Sequence, residues 1–138
     1  MIVGIDPDID KSGIATLCDD GEGLQLNNLS FIHVMDFVRL HKDEIKCVYI
    51  EAGWFNKKSN WHAASNINKA AKIGKNVGMN HAAGMLLEQS IKHEGINVIL
   101  VRPTKSKLSA EQFLKLTGYK GRTNQEARDA AMMIFGRN

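Results

Sequence analysis

Apolar residues fall in short clusters along the chain, and the spacing within each cluster predicts a strand or a helix. Short clusters that are wholly apolar or alternate with polar residues predict strands. Five clusters are of this kind, at residues 1–6, 13–18, 24–31, 47–51 and 98–101. Apolar residues spaced three and four apart predict helices instead. Four segments have this spacing, at residues 33–41, 79–93, 109–116 and 123–135.

The order of these elements determines the expected fold class. Three consecutive strands come first, and strands then alternate with helices, which predicts an α/β fold with a mixed five-stranded sheet flanked by helices. Residues 54–77 are polar and basic and are predicted to form a loop followed by a helix. The 138 residues contain no linker and no internal repeat, so we expect residues 1–138 to form a single domain.

Charge is distributed unevenly, although the net charge of the chain is only +3. Residues 1–51 carry a net charge of −6, whereas residues 52–138 carry +9. Residues 52–87 contain no acid, and their lysines are Lys57, Lys58, Lys69, Lys72 and Lys75. With Trp54 and Phe55 beside it, this stretch is typical of a surface that binds a polyanion and stacks aromatic rings on bases. A solvated helix face has the same composition, and charge alone does not separate the two.

Four carboxylates stand at positions that suit a metal site. Asp6 ends the first predicted strand and Glu51 ends the fourth, and ligand sites gather at strand ends in open α/β sheets. Glu126 and Asp129 lie three residues apart in the last predicted helix and therefore share one face. Carboxylates brought together repel unless a cation lies among them, and hard oxygen ligands suit Mg²⁺ or Mn²⁺.

Each of these carboxylates also has a purely structural explanation. Asp6 fits a turn, and Glu51 fits a solvated strand end. Glu126 fits a capping box that begins at Thr123, in which the glutamate reaches back to the first amide of the helix. Asp129 fits an exposed acid stabilised by the helix dipole. The metal-site hypothesis depends on all four occurring together.

Short motifs along the chain resemble one known family. They are Gly4-Ile5-Asp6-Pro7, Ser12-Gly13-Ile14-Ala15, Tyr49-Ile50-Glu51, Asn76-Val77-Gly78, Pro103-Thr104-Lys105-Ser106-Lys107 and Glu126-Ala127-Arg128-Asp129-Ala130-Ala131. In order and spacing they resemble the motifs of RuvC-type Holliday junction resolvases, which belong to the ribonuclease H-like superfamily. The resemblance spans almost the whole chain, which looks most like the compact forms encoded by phages and mobile elements. It implies a ribonuclease H-like fold and a crossover junction endodeoxyribonuclease.

The resemblance also implies roles for individual residues. Four acids match the metal ligands of the family: Asp6, Glu51, Glu126 and Asp129. They would hold two Mg²⁺ ions, or Mn²⁺ in their place, about 4 Å apart, and hydrolysis would leave a 5′-phosphate and a 3′-hydroxyl. Lys107, or Lys105 as the alternative, would contact the scissile phosphate, and Trp54 and Phe55 would stack on bases. The lysines of residues 52–87 would follow the DNA backbone.

Two positions depart from the family pattern. Asp8 stands where the family commonly has glycine and is expected to add negative charge beside the site. Glu126 stands where aspartate or histidine is more usual. An inactive relative is therefore an alternative.

Residues 8–19 also imitate a calcium-binding loop, but the elements predicted around them are not the two helices that such a loop requires.

Paired nicks in a four-way junction require two active sites, so the resemblance implies a homodimer. The expected interface is the helix at residues 79–91, with Ala82, Ala83, Met85, Leu86 and Leu87. An intramolecular core explains the same apolar residues equally well.

The sequence leaves three other functions open and also predicts a cellular location. The rival functions are a ribonuclease H-like nuclease acting on RNA or other branched DNA, a non-catalytic junction-binding module, and an actin-like sugar kinase. The kinase needs two domains, and this chain is too short for them. The chain shows no signal peptide and no apolar run long enough for a membrane span, which predicts the cytoplasm of a bacterium or of a phage-infected host.

Overall fold

The computed structural model describes residues 1–18, 23–56 and 67–137. Its strands are β1 (Ile2–Asp6), β2 (Ser12–Cys18), β3 (Gly23–Leu29), β4 (Cys47–Glu51) and β5 (Val98–Val101). Its helices are α1 (Phe31–Leu40), α2 (Ile67–His93), α3 (Ala110–Thr117) and α4 (Gln125–Ile134). A short 3₁₀ turn, Gly53–Phe55, follows β4.

The strands form one mixed sheet, as the element order predicts. Their spatial order is β3-β2-β1-β4-β5. The first three strands pair antiparallel, whereas β4 is parallel to both β1 and β5. Since β1 and β4 are parallel neighbours, their carboxyl ends lie at the same edge of the sheet. Asp6 and Glu51 are the last residues of these two strands.

Alternating residues of the sheet pack against helices on both faces. On one face, Val3 and Ile5 of β1 are fully buried in a cluster that includes residues of α1 and α2. On the other face, Ile2 and Ala15 pack with α4 and with Phe113 of α3. Burial on both faces is the pattern expected of an α/β sheet covered by helices.

Two glycines allow α4 to approach the sheet at backbone contact distance. A Cβ atom placed on Gly4 would lie 2.2 Å from the carbonyl oxygen of Ala130. A Cβ placed on Gly13 would lie 2.2 Å from the carbonyl oxygen of Glu126. Any larger residue at either position would therefore push α4 outward. This close contact brings the acids of α4 to the edge where β1 and β4 end.

Two element boundaries differ from the sequence prediction. The third strand ends at Leu29 because the side chain of Ser30 accepts a hydrogen bond from the amide of His33 and starts α1. The second helix is continuous over Ile67–His93, whereas the sequence predicted a separate helix from residue 79. The first ten residues of α2, 67–76, are all exposed, so they have no apolar stripe that would reveal the helix. The rest of the predicted loop, residues 57–66, lies outside the described residues.

The polar character of α2 also bears on membrane insertion. At 27 residues this helix exceeds the length of a bilayer span. Its exposed half is rich in lysine, however, and none of the helices in the described part of the chain combines the length and hydropathy needed to cross a membrane.

Candidate metal centre

Three acids converge at the edge of the sheet where β1 and β4 end. One carboxylate oxygen each of Asp6, Glu51 and Asp129 lies within 4.8 Å of the others. Asp6 and Glu51 are placed by parallel strands, and Asp129 is placed by α4, which packs on Gly4 and Gly13. All three side chains are half-buried. We refer to Asp6, Glu51 and Asp129 as the acid cluster.

Burial and mutual repulsion make ionisation of the acid cluster unfavourable. Burial, followed by the negative charge of Glu51, raises the pKa of Asp6 from 3.8 to about 8. Burial is also the largest reason that the pKa of Glu51 is raised, and the charge of Asp129 adds to it. Carboxylates in this state gain strongly from a nearby cation, which favours the charged form of each.

The ammonium group of Lys107 already neutralises part of this charge. Its Nζ donates a short hydrogen bond to Oδ2 of Asp129 and lies 3.8 Å from Oε1 of Glu51. Burial lowers the pKa of Lys107, but its interactions with Asp129, Glu51 and Asp6 outweigh that effect and raise the pKa. Lys107 therefore remains charged beside the acid cluster. Its alternative, Lys105, is exposed in the segment between β5 and α3.

Two residues that the sequence interpretation missed hold Asp129 and Lys107 together. The side-chain amide of Gln125 donates to Oδ1 of Asp129 at 2.8 Å. Arg128 donates to Oε1 of Gln125 at 2.9 Å and to the carbonyl oxygen of Leu108 at 3.0 Å. The second bond anchors the segment that follows Lys107 to α4. Arg128 lies within the last motif and Gln125 directly precedes it, but neither carries a separate sequence signal, because their roles depend on tertiary contacts.

Glu126 lies outside the acid cluster, although its charge contributes to the raised pKa of Asp6. The capping box expected for Thr123 and Glu126 is wrong. Asn124 is the N-cap, and its side chain accepts a hydrogen bond from the amide of Ala127 at 3.0 Å. Helix α4 thus starts one residue later than the box requires, and Glu126 sits one position too early in the helix to reach back to the cap.

Asp8 stabilises a loop through its carboxylate. Its Oδ1 accepts a hydrogen bond from the amide of Asp10 at 2.8 Å. Its Oδ2 accepts one from the side-chain amide of Asn80 at 3.1 Å. The carboxylate is therefore directed to its own loop and to α2. Strands β1 and β2 flank this loop, which excludes the calcium-loop alternative.

A cavity of about 180 Å³ adjoins the acid cluster on the α2 side. It is lined by Asp6, Pro7, Glu51, Gly53, Trp54, Val77, Asn80 and His81. The ring of Trp54 is half-buried against the core and lies over Gly84, where a Cβ atom would come within 2.5 Å of it. Phe55 is 38% exposed, with the guanidinium of Arg102 at 5.9 Å from its ring centroid. Of the two aromatic residues expected to stack on bases, Phe55 is the more accessible.

The predicted basic surface is only partly described. Lys69, Lys72 and Lys75 lie on the exposed first half of α2. Lys57 and Lys58 lie outside the described residues. The three described lysines are spaced three apart, so they share one side of the helix.

The residues expected at a dimer interface divide between two environments. Ala83 and Leu87 are buried against the sheet and belong to the core of the chain. Ala82, Met85 and Leu86 are exposed, with Leu86 at 54%. The apolar surface of this helix that remains for a partner is therefore smaller than the sequence indicated.

The sheet order, the helices on both faces and the acid-bearing last helix define a ribonuclease H-like fold, which confirms the predicted fold class. The chain is similar to RuvC from T. thermophilus, whose structure was solved in complex with a Holliday junction substrate. The two share 15% sequence identity and superpose with a TM-score of 0.54 over 94% of this chain and 87% of the other. No protein-family model and no curated protein sequence matches this chain. At this identity the likeness establishes the fold alone.

Proposed function

We propose that this protein is a metal-dependent endodeoxyribonuclease that resolves four-way DNA junctions by paired symmetric nicks. The observation that carries the proposal is the convergence of Asp6, Glu51 and Asp129 within 4.8 Å on a ribonuclease H-like fold. A structurally similar protein binds a Holliday junction, which supports branched DNA as the substrate. The reaction would leave a 5′-phosphate and a 3′-hydroxyl, in the cytoplasm of a bacterium or a phage-infected cell.

The chemistry of the acid cluster fits a hard divalent cation. All three donors are carboxylates, the ligand type that Mg²⁺ and Mn²⁺ prefer. Burial, followed by the negative charge of Glu51, raises the pKa of Asp6, and a bound cation would favour its ionised form. Asp6, Glu51 and Asp129 would hold two Mg²⁺ ions, with Glu126 as a further ligand. When bound, the ions supply an activated water and Lewis-acid stabilisation of the phosphodiester.

The residues around the acid cluster would orient and neutralise the substrate. Lys107 holds a positive charge beside Asp129 and Glu51, where it can offset charge that develops on the scissile phosphate. Gln125 and Arg128 fix the direction of Asp129 and the position of the Lys107 segment. A site held by such contacts is preorganised before the substrate arrives.

The described surface offers contacts for DNA on the α2 side. Lys69, Lys72 and Lys75 would contact phosphates along one side of the exposed half of α2, with Lys105 as a further contact near Lys107. Phe55 would stack on a base, and Trp54 would support it from the cavity wall. Lys57 and Lys58 complete this proposed surface. Binding through these lysines should weaken steeply as salt concentration rises.

Two coordinated nicks require two acid clusters, so we place this function in a homodimer. Ala82, Met85 and Leu86 form an exposed apolar stripe on α2, spaced three and four residues apart. This stripe lies on the side of the helix that is not buried against the sheet. It is our proposed dimer contact.

The test is a substrate panel with matched variants. Wild type in Mg²⁺ should cut a synthetic four-way junction, and should leave a linear duplex and an RNA–DNA hybrid intact. Asp6→Asn should abolish cutting and retain junction binding, because it removes a ligand and leaves the basic surface. Asp36→Asn, an exposed acid on α1, is the control and should cut normally. Preferred cleavage of the hybrid would indicate a ribonuclease instead, and tight junction binding without any cutting would indicate a binding module.

A further inference from the structure

The cavity beside the acid cluster has two polar walls of different chemistry. Asp6 and Glu51 line it from the sheet. Asn80 and His81 line it from α2. Neither of these α2 residues belongs to a motif that the sequence interpretation used for chemistry. Their side chains are therefore the unassigned polar groups of this site.

Both ends of the Asn80 side-chain amide form structural hydrogen bonds. Its Oδ1 accepts from the amide of Ile9 at 3.0 Å, and its Nδ2 donates to Asp8 at 3.1 Å. Both bonds tie the loop between β1 and β2 to α2. The amide is consequently committed to holding the loop that follows Asp6.

His81 differs from Asn80 in this respect. Among the residues that the structure describes, no group forms a hydrogen bond with its imidazole. The side chain is half-buried and faces a cavity that also contains two carboxylates. No buried side-chain nitrogen or oxygen among the described residues lacks a partner, so the ring nitrogens of His81 are accessible and can donate to a ligand in the cavity.

Packing fixes the position of the His81 ring. The ring meets Trp54 edge to face, with centroids 6.4 Å apart and planes at 70°. It also lies against Gly53, where a Cβ atom would be only 2.9 Å from Nε2. Gly53 follows Glu51 by two residues, so the imidazole rests on the backbone just beyond the acid cluster. A donor held in this way needs little reordering when a ligand binds.

We propose that His81 is a substrate-contacting residue, whose imidazole donates a hydrogen bond to a phosphate oxygen of the DNA strand that enters this cavity. The inference rests on the proposed nuclease function and deepens it. Phosphate oxygens only accept hydrogen bonds, and an imidazole has an N–H donor in its neutral and its charged form. Lys107 pairs with Asp129 of α4 on one face of the sheet, and His81 belongs to α2 on the other. A strand that crosses the acid cluster would thus meet a donor from each face.

The test separates hydrogen bonding from packing with two substitutions at one position. His81→Phe keeps an aromatic ring against Trp54 but removes both nitrogens, and His81→Gln restores an N–H donor without the ring. Loss of a hydrogen bond to a charged phosphate should lower kcat/KM for a four-way junction about 10- to 100-fold in His81→Phe. His81→Gln should retain activity within about 10-fold of wild type. His93→Phe, an exposed histidine in the last turn of the same helix, is the control and should match wild type.

Junction affinity is measured separately in an Asp6→Asn background, so that the DNA is not cut. Adding His81→Phe should weaken binding about 10-fold without changing the melting temperature. Equal cleavage and equal affinity in His81→Phe and His93→Phe would overturn the inference and leave the proposed function intact. A loss of activity that accompanies a lower melting temperature, and that His81→Gln does not restore, would also overturn the inference. The imidazole ring would then have only a packing role.

Failure of the proposed function gives a different pattern. Wild type that binds junctions without cutting them would reject the nuclease, and the affinity comparison would still decide the role of His81. Wild type that neither binds nor cuts would overturn the proposed function and the His81 contact together.

Discussion

Replacing Asp6 by asparagine should stabilise the metal-free protein while destroying its function. The carboxyl of Asp6 has a pKa of about 8 in the folded protein, against 3.8 in the unfolded reference. Between these two values the folded state holds a proton that the unfolded state releases, so the free energy of unfolding falls as pH rises. Asparagine resembles the protonated carboxyl in shape and does not ionise. The substitution removes this pH-dependent cost.

The magnitude follows from the two pKa values. Linkage gives a stabilisation of about 2 kcal/mol at pH 5 that grows to about 4 kcal/mol at pH 7. The gain levels off above the folded-state pKa, because Asp6 is then ionised in both states. Added Mg²⁺ or Mn²⁺ should stabilise wild type by binding the ionised acid cluster, and should stabilise Asp6→Asn much less.

The assay is chemical denaturation in EDTA at pH 5, 7 and 8, followed by the same series with Mg²⁺. Asp36→Asn serves as the control because Asp36 is exposed on α1, and it should follow wild type at each pH. An Asp6→Asn variant that is no more stable than wild type at pH 7, or a difference in stability that does not change with pH, would show that the fold does not raise the pKa of Asp6. Equal stabilisation of both proteins by Mg²⁺ would show that the cation binds elsewhere.

Three further predictions concern other parts of the site and fold. Lys107→Gln should lower the cleavage rate about 100- to 1,000-fold, measured under single-turnover conditions, because a charge beside the scissile phosphate is lost; unchanged rates would remove Lys107 from the mechanism. Gly13→Ala should destabilise the fold by about 2 kcal/mol in urea titrations, since its Cβ would meet the backbone of α4. Gly74→Ala, in the exposed part of α2, should instead stabilise the fold by about 0.5–1 kcal/mol. Leu86→Glu should convert the proposed dimer to monomers in sedimentation experiments with the circular dichroism spectrum preserved, and an unchanged sedimentation coefficient would place the interface elsewhere.

Much of the fold could be predicted because local pattern and tertiary structure agree. Strand β1 is an apolar run buried on both faces, and β4 is buried on one face and half-buried on the other. Their parallel pairing brings Asp6 and Glu51 to one edge. Asp129 joins them because Gly4 and Gly13 admit α4, a contact between segments far apart in sequence.

The remaining features depend on contacts that spacing does not encode. The continuity of α2 is not evident from the sequence because its first ten residues, 67–76, are all exposed and form no apolar stripe. The cap of α4 was misplaced by one residue because Thr123 and Asn124 are both competent N-caps, and the structure uses the second. The loop-stabilising role of Asp8 carries no sequence signal because its partner Asn80 lies 72 residues away in the chain.

Whether this protein is a junction-resolving nuclease is decided most directly by offering the cut junction to DNA ligase. Each strand of a synthetic four-way junction carries its own label, and the protein is incubated with it in Mg²⁺ or in EDTA. A junction-resolving nuclease should make Mg²⁺-dependent nicks at matching positions in two strands of like polarity. Ligase should seal the products, because they carry a 5′-phosphate and a 3′-hydroxyl. Nicks in single strands at unrelated positions, ends that ligase cannot seal, or cutting that persists in EDTA would contradict the proposed function.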